Sequence, residues 1–167
     1  MASRLRASVF GAAFAFLSAP HTASALETVE RVEIHRDWTL GCPGAGDPCI
    51  LSTTTFAGDR TWLATLRLQP AQRADAAAEV QLLVPLQVHL ASGIFVKVPG
   101  AETSAGRFVR CVEGACEARL ALDASALAAW KRAREARLVY RPRAQGPPIA
   151  FDVSLMGLTA GLEAMAQ

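Results

Sequence analysis

The sequence predicts an all-β protein: a two-layer β-sandwich with one or two short helices. Two observations point to a sandwich and a third to disulfide staples within it. Short apolar segments alternate with period two, turn-forming residues recur between them, and the cysteine count is even. Period-two alternation gives each strand one buried and one solvated face, which two packed layers satisfy.

Ahead of that pattern stands MASRLRASVFGAAFAFLSAPHTASA. Arg4 and Arg6 make a short basic head, Val9 to Leu17 is apolar, and Ala23-Ser24-Ala25 is a small-x-small site. These are the parts of a secretory signal peptide over residues 1–25, its apolar core well under the roughly 20 residues that span a bilayer. Cleavage after Ala25 is expected to leave one domain over residues 26–167, with no later segment apolar enough for a transmembrane anchor. The leader holds two of the seventeen basic residues and none of the fifteen acidic ones, so the remainder is formally neutral. Nucleic acid is therefore not an expected partner. The expected location is the periplasm, with association at the outer surface as a variant.

The elements follow in order. In VERVEIHRDWTL, Val32, Ile34 and Trp38 interleave with Arg31, Glu33, His35 and Asp37, slipping near Arg36, and read as a half-buried strand. CILSTTTF is rich in β-branched residues, and TWLATLRLQP lines up Trp62, Ala64, Leu66 and Leu68 on one face. Gly58-Asp59 between them predicts a hairpin. VQLLVPLQVHLASGIFVKVPG reads as two strands, Val80 to Leu90 and Ile94 to Val98, joined at Ala91-Ser92-Gly93. Pro85 cannot donate to a ladder and is placed at an edge, bulge or junction. Further strands are expected at about Arg107 to Cys111, Glu117 to Ala121, Ala136 to Arg141 and Ile149 to Leu155, with Gln69 to Glu79 and Gly100 to Gly106 as loops. Asp123 is placed as the cap of a helix running to about Arg134, with Leu127 and Trp130 facing inward and Lys131, Arg132 and Arg134 at the cation-favouring end. A last short helix spans Leu158 to Met165.

All four cysteines, Cys42, Cys49, Cys111 and Cys116, follow the leader, and an even count in an exported domain reads as a disulfide framework. Four cysteines allow three pairings, among which sequence alone does not choose. Chain geometry favours the local one: Val112-Glu113-Gly114-Ala115 is a hairpin-length connection, and Pro43 to Pro48 must turn sharply. Zinc fits poorly, because neither spacing is the tight Cys-x2-Cys of ribbon sites. A redox centre would want Cys-x-x-Cys at a helix N-terminus, which neither pair has.

Catalytic signals are sparse, so no enzymatic activity, metal or cofactor is expected. GCPGAGDP lacks the Gly-Lys-Ser/Thr ending of a phosphate loop, and neither G-x-S-x-G nor H-E-x-x-H occurs. His35 and His89 alternate with apolar neighbours and read as solvent-face strand residues. A periplasmic enzyme or redox accessory is the alternative; it would use one of these histidines beside a carboxylate in a cleft, or a labile disulfide. Lys131, Arg132, Arg134, Arg137, Arg141 and Arg143 crowd against Glu135 alone and form a candidate basic binding surface for an anionic partner, if their segments face the same way. A solvated helix end followed by a charge-protected edge strand is the plainer reading.

The order Trp38-Thr39-Leu40-Gly41-Cys42, Cys49-Ile50, Val84-Pro85-Leu86, Cys111-x4-Cys116-x-Ala118 and Val153-Ser154-Leu155-x-Gly157-Leu158-Thr159 resembles the invasion-associated locus B family of exported bacterial proteins. The resemblance covers nearly the whole chain after the leader. It implies an immunoglobulin-like sandwich, the disulfides Cys42–Cys49 and Cys111–Cys116, a periplasmic or outer-surface location, and no established enzymatic activity; the expected role is that of a non-catalytic protein that binds a protein or envelope component. It also links pathogenic relatives to host-cell invasion. Gln87, Ala115 and Leu158 stand where many members carry Gly, Gly and Phe, which marks a divergent member.

Overall fold

The computed structural model describes residues 29–44 and 46–167. The leader expected over residues 1–25 lies outside them. Ten antiparallel strands form one hydrogen-bonded ladder. In chain order they are β1 (Val29–His35), β2 (Trp38–Pro43), β3 (Ile50–Phe56), β4 (Trp62–Pro70), β5 (Ala78–Pro85), β6 (Ile94–Lys97), β7 (Ser104–Val112), β8 (Ala115–Leu122), β9 (Glu135–Tyr140) and β10 (Ile149–Ser154). Helix α1 spans Ala124–Arg132 and α2 spans Leu158–Met165. The spatial order is β1-β2-β3-β4-β5-β8-β7-β6-β9-β10.

The two layers of the expected sandwich come from this one ladder. Strand β7 belongs to both layers: Ser104 to Gly106 pair with β6, and Arg107 to Val112 pair with β8. The inner faces then meet in one core. Leu40, Leu51, Leu66, Leu68, Val80, Leu82, Leu120 and Leu122 come from one layer, and Ile94, Val96, Leu138 and Val153 from the other. At about 25 cal/mol per Å² of apolar area, each fully buried side chain of this size contributes roughly 1.5–3 kcal/mol. The two ends of the ladder are tied by Trp38, whose indole Nε1 donates to the Ser154 carbonyl at 3.1 Å, and by the Asp37 amide, which donates to the Met156 carbonyl at 3.2 Å.

Most elements form where period and turn chemistry place them. The β3–β4 hairpin turns through Gly58-Asp59, with Asp59 Oδ1 accepting from the Thr61 amide at 2.9 Å. Asp123 caps α1 by accepting from the Ala126 amide at 2.7 Å, which lowers its own pKa. Trp130 is fully buried beneath α1, and Leu127 is half-buried.

Several boundaries change. The slip near Arg36 is a turn between two strands: Arg36 has φ 56°, and β1 folds back on β2. The strand expected to reach Leu90 ends at Pro85, whose missing N–H stops the ladder, and Leu90–Ser92 forms a 3₁₀ turn. Ser104 to Gly106, expected in a loop, begin β7. Helix α1 stops at Arg132, because Ala133 takes extended backbone at ψ 156°.

The fold of β1 is the largest departure. Val32 and Ile34, expected on the buried face, are 61% and 76% exposed. Arg31, Glu33 and His35 turn inward instead, toward α2, which packs across β1, β2 and β3. The last turn of a helix leaves carbonyls without partners. Arg31 reinforces one that otherwise accepts only from the backbone beyond the helix, its Nη2 donating to the Ala164 carbonyl at 2.6 Å beside the Gln167 amide at 3.3 Å.

Candidate functional site

Both disulfides are formed, Cys42–Cys49 and Cys111–Cys116. Cys111 and Cys116 are register partners on β7 and β8, their Cα atoms 3.9 Å apart, and Val112 pairs with Ala115 inside them. The connection is therefore a two-residue turn at Glu113-Gly114. Both residues are left-handed, φ 49° and 88°, which is the backbone of a type I′ hairpin. The second bond closes the loop after β2, with Cys42 buried and Cys49 half-buried against the core. Cys116 is buried while Cys111, its partner, is an exposed residue.

The histidines do not lie where the alternation placed them. His35 points inward, its Nε2 3.2 Å from Glu33 Oε2, and Arg31 Nε lies 3.1 Å from Glu33 Oε1. These are ion-pair distances, but neither nitrogen has hydrogen-bond geometry to the carboxylate. His89 lies beyond the end of β5 and caps the 3₁₀ turn, its Nδ1 2.7 Å from Ser92 Oγ. One histidine thus stands beside a carboxylate, but neither lines any of the three concavities named below.

The six candidate basic residues are split by the length of β9, about 20 Å at 3.3 Å per residue. Lys131, Arg132 and Arg134 stand at one end, and Arg132 and Arg134 border a shallow concavity of about 430 Å³. Arg137, in mid-strand, is paired with Asp152 across β10, its Nη1 2.9 and 3.1 Å from the two carboxylate oxygens. At the far end Arg141 Nη1 donates to the Gly146 carbonyl at 2.7 Å, and Arg143 lies in the same turn. Strand β9 lies inside the ladder between β6 and β10, so the edge-strand reading of these charges does not hold.

A second cluster is one that sequence reasoning missed. Glu117, on β8, is only 3% exposed and accepts from two arginines: Arg110 Nε to Oε2 and Arg119 Nε to Oε1, both at 2.7 Å. Burial pushes its carboxyl pKa up, but hydrogen bonds from Arg119, Arg110 and Gln81 outweigh this and bring it to about 2. Beside this trio the outer face of β4, β5, β8 and β7 hollows into a concavity of about 440 Å³. Arg73, Arg107 and Arg119 border it with Gln69, Glu79 and Gln81. A third concavity, of about 500 Å³, lies between the Gly100–Ser104 segment and the start of α1. Among the described residues, no group of three or more His, Cys, Asp or Glu side chains is placed to hold a metal ion.

Fold and staples together define a disulfide-bonded, all-β sandwich with two short helices. The family model for the invasion associated locus B (IalB) protein matches residues 38–166, and the chain belongs to that family. An invasion protein B homolog of Brucella abortus (strain 2308) is 29% identical over 151 residues, covering 87% of this chain and 82% of the relative. A homolog from Brucella abortus biovar 1 (strain 9-941) matches to the same extent. The crystal structure of invasion associated protein B from Bartonella henselae superposes with a TM-score of 0.71 at 18% identity, covering 81% of this chain and 96% of that one. The likeness in structure extends to the fold, and the family is named for invasion, not for a catalysed reaction.

Proposed function

We propose that this is an exported, non-catalytic envelope protein of the periplasm that binds a protein or envelope component through the edge strand β1. The observation that carries this reading is the inversion of that strand. An edge strand presents unpaired backbone donors and acceptors, and proteins ordinarily guard such edges with charge, proline or a bulge. Here β1 ends the ladder, with an irregularity in its register only at its start between Val29 and Arg31, and turns Val32 and Ile34 to solvent while Arg31, Glu33 and His35 face α2. An apolar outer face on an open edge suits partner recognition by strand addition. The leader motif and two disulfides support export into an oxidising compartment.

The test is the double variant Val32→Lys, Ile34→Lys, expressed with its own leader in the native cell. Both side chains are exposed, so the unfolding midpoint should stay within about 0.5 kcal/mol of wild type. Association with the envelope fraction, read by fractionation and native gel mobility, should be lost. Unchanged association would remove β1 from the proposal. A role in host-cell invasion is carried over from the names of the matched relatives. A deletion strain that enters cultured cells as efficiently as its parent would remove that part.

A further inference from the structure

Like charges placed directly opposite each other on a sheet destabilise it. Arg107 on β7 and Arg119 on β8 are such register partners. A bulge puts them there. From the turn, Val112–Ala115, Cys111–Cys116 and Arg110–Glu117 pair in sequence; the register then slips by one between Phe108 and Arg110, leaving Val109 as the extra residue. Without that slip Arg107 would stand opposite Leu120 and face the core side. With it, Arg107 and Arg110 share the outer face with Glu117 and Arg119. Bulges recur beside functional sites because they re-aim a side chain in this way.

The charges around the concavity are compensated unevenly. Arg73 pairs with Asp75, Nε to Oδ1 at 3.0 Å, and Arg119 commits its Nε to the buried Glu117. Among the described residues Arg107 has neither an acidic partner nor a side-chain hydrogen bond, although the chain bends to bring it beside another arginine. Glu117 holds Arg119 from behind, so the outer nitrogens of that guanidinium remain free to meet a ligand. The small side chains of Ala105 and Ala121 keep the floor low, and Gln69 and Gln81 supply amide donors and acceptors.

We propose that this concavity binds a single oxyanion, a carboxylate or phosphate on a hydroxyl-rich body about the size of one sugar residue, held between Arg107 and Arg119. The planar fork of arginine matches both oxyanions. A volume of about 440 Å³ lies within the range of small-molecule sites. One uncompensated arginine with Glu79 on the rim fits one anionic group better than a polyanion. No residue of β1 takes part, so failure here leaves the edge-strand proposal standing, and the reverse holds.

The test titrates the oxidised protein at low salt with glucuronate, glucose 6-phosphate and, as the neutral probe, glucose. Arg107→Gln is the site variant and Arg143→Gln the control. At least one anionic sugar should bind and glucose should not; which anion binds distinguishes a carboxylate site from a phosphate site. Losing one charge-assisted contact should weaken binding in Arg107→Gln by about 10- to 100-fold. The unliganded Arg107→Gln protein should unfold at an equal or higher urea midpoint, because the opposed pair is relieved. Arg143→Gln should bind as wild type does. The proposal is overturned if neither anionic sugar binds at millimolar concentration, if glucose binds equally well, if Arg107→Gln binds unchanged, or if Arg107→Gln lowers the midpoint.

Discussion

Replacing Glu117 by Gln keeps the shape of the buried side chain, removes its charge and leaves one acceptor oxygen where Arg110 and Arg119 now use two. In the folded protein the carboxyl titrates at about 2, against an ordinary value of 4.5. At about 1.4 kcal/mol per unit this corresponds to roughly 3 kcal/mol of stability at neutral pH. Both guanidinium groups are 60% exposed, and solvent screening brings the expected loss to about 2–3 kcal/mol. The sign follows from linkage. A depressed carboxyl pKa stabilises the fold above pH 4.5, and that contribution disappears as the pH falls through 4.5 toward 2. Urea unfolding of wild type and Glu117→Gln at pH 7, 4 and 2.5 should therefore give a gap that is widest at pH 7 and falls to about a quarter of that at 2.5, where the unfolded carboxyl is protonated and the folded one has begun to titrate. A gap independent of pH would mean that packing, not charge, is at stake, and no gap at pH 7 would refute the buried ion cluster altogether.

Two further substitutions probe the scaffold. Cys111→Ser changes the exposed partner of the hairpin bond, should leave Cys116 as one titratable thiol, and should lower stability by about 2 kcal/mol for so short a loop; thiol counting and urea unfolding on one sample check both. Gly157→Ala acts where β10 gives way to α2. Gly157 has φ 101°, and a methyl group there would overlap the His35 carbonyl, so a loss of about 3 kcal/mol or more is expected, visible as a lowered thermal midpoint.

The candidate site was only partly legible in the sequence. Cys111 and Cys116 are, because a hairpin turn between two strands brings its own flanks together whatever the rest of the chain does. Arg73, Arg107 and Arg119 are not, because 34 residues separate the first two and no period connects them. Strand β5 pairs with β8 across two intervening strands, and only that pairing sets Gln81 beside Arg119. The bulge at Val109 hides the arginine pair further, since uninterrupted counting back from the turn sets Arg107 against Leu120.

The sequence by itself determined the local matters: alternating strands, turn residues at the hairpins, the Asp123 cap, the cysteine staples and the order of motifs that marks the family. Each rests on interactions among residues a few positions apart, which the chain makes with little entropic cost. The tertiary structure alone decided which face of each strand is inside. On β1 it overrode apolar periodicity, because the helix packed against that strand offers a carbonyl for Arg31 to reinforce, while the side facing away from the core receives Val32 and Ile34. On β8 it buried Glu117, because Arg110 from the neighbouring β7 joins Arg119 of its own strand, and the two together outweigh the cost of burying its charge.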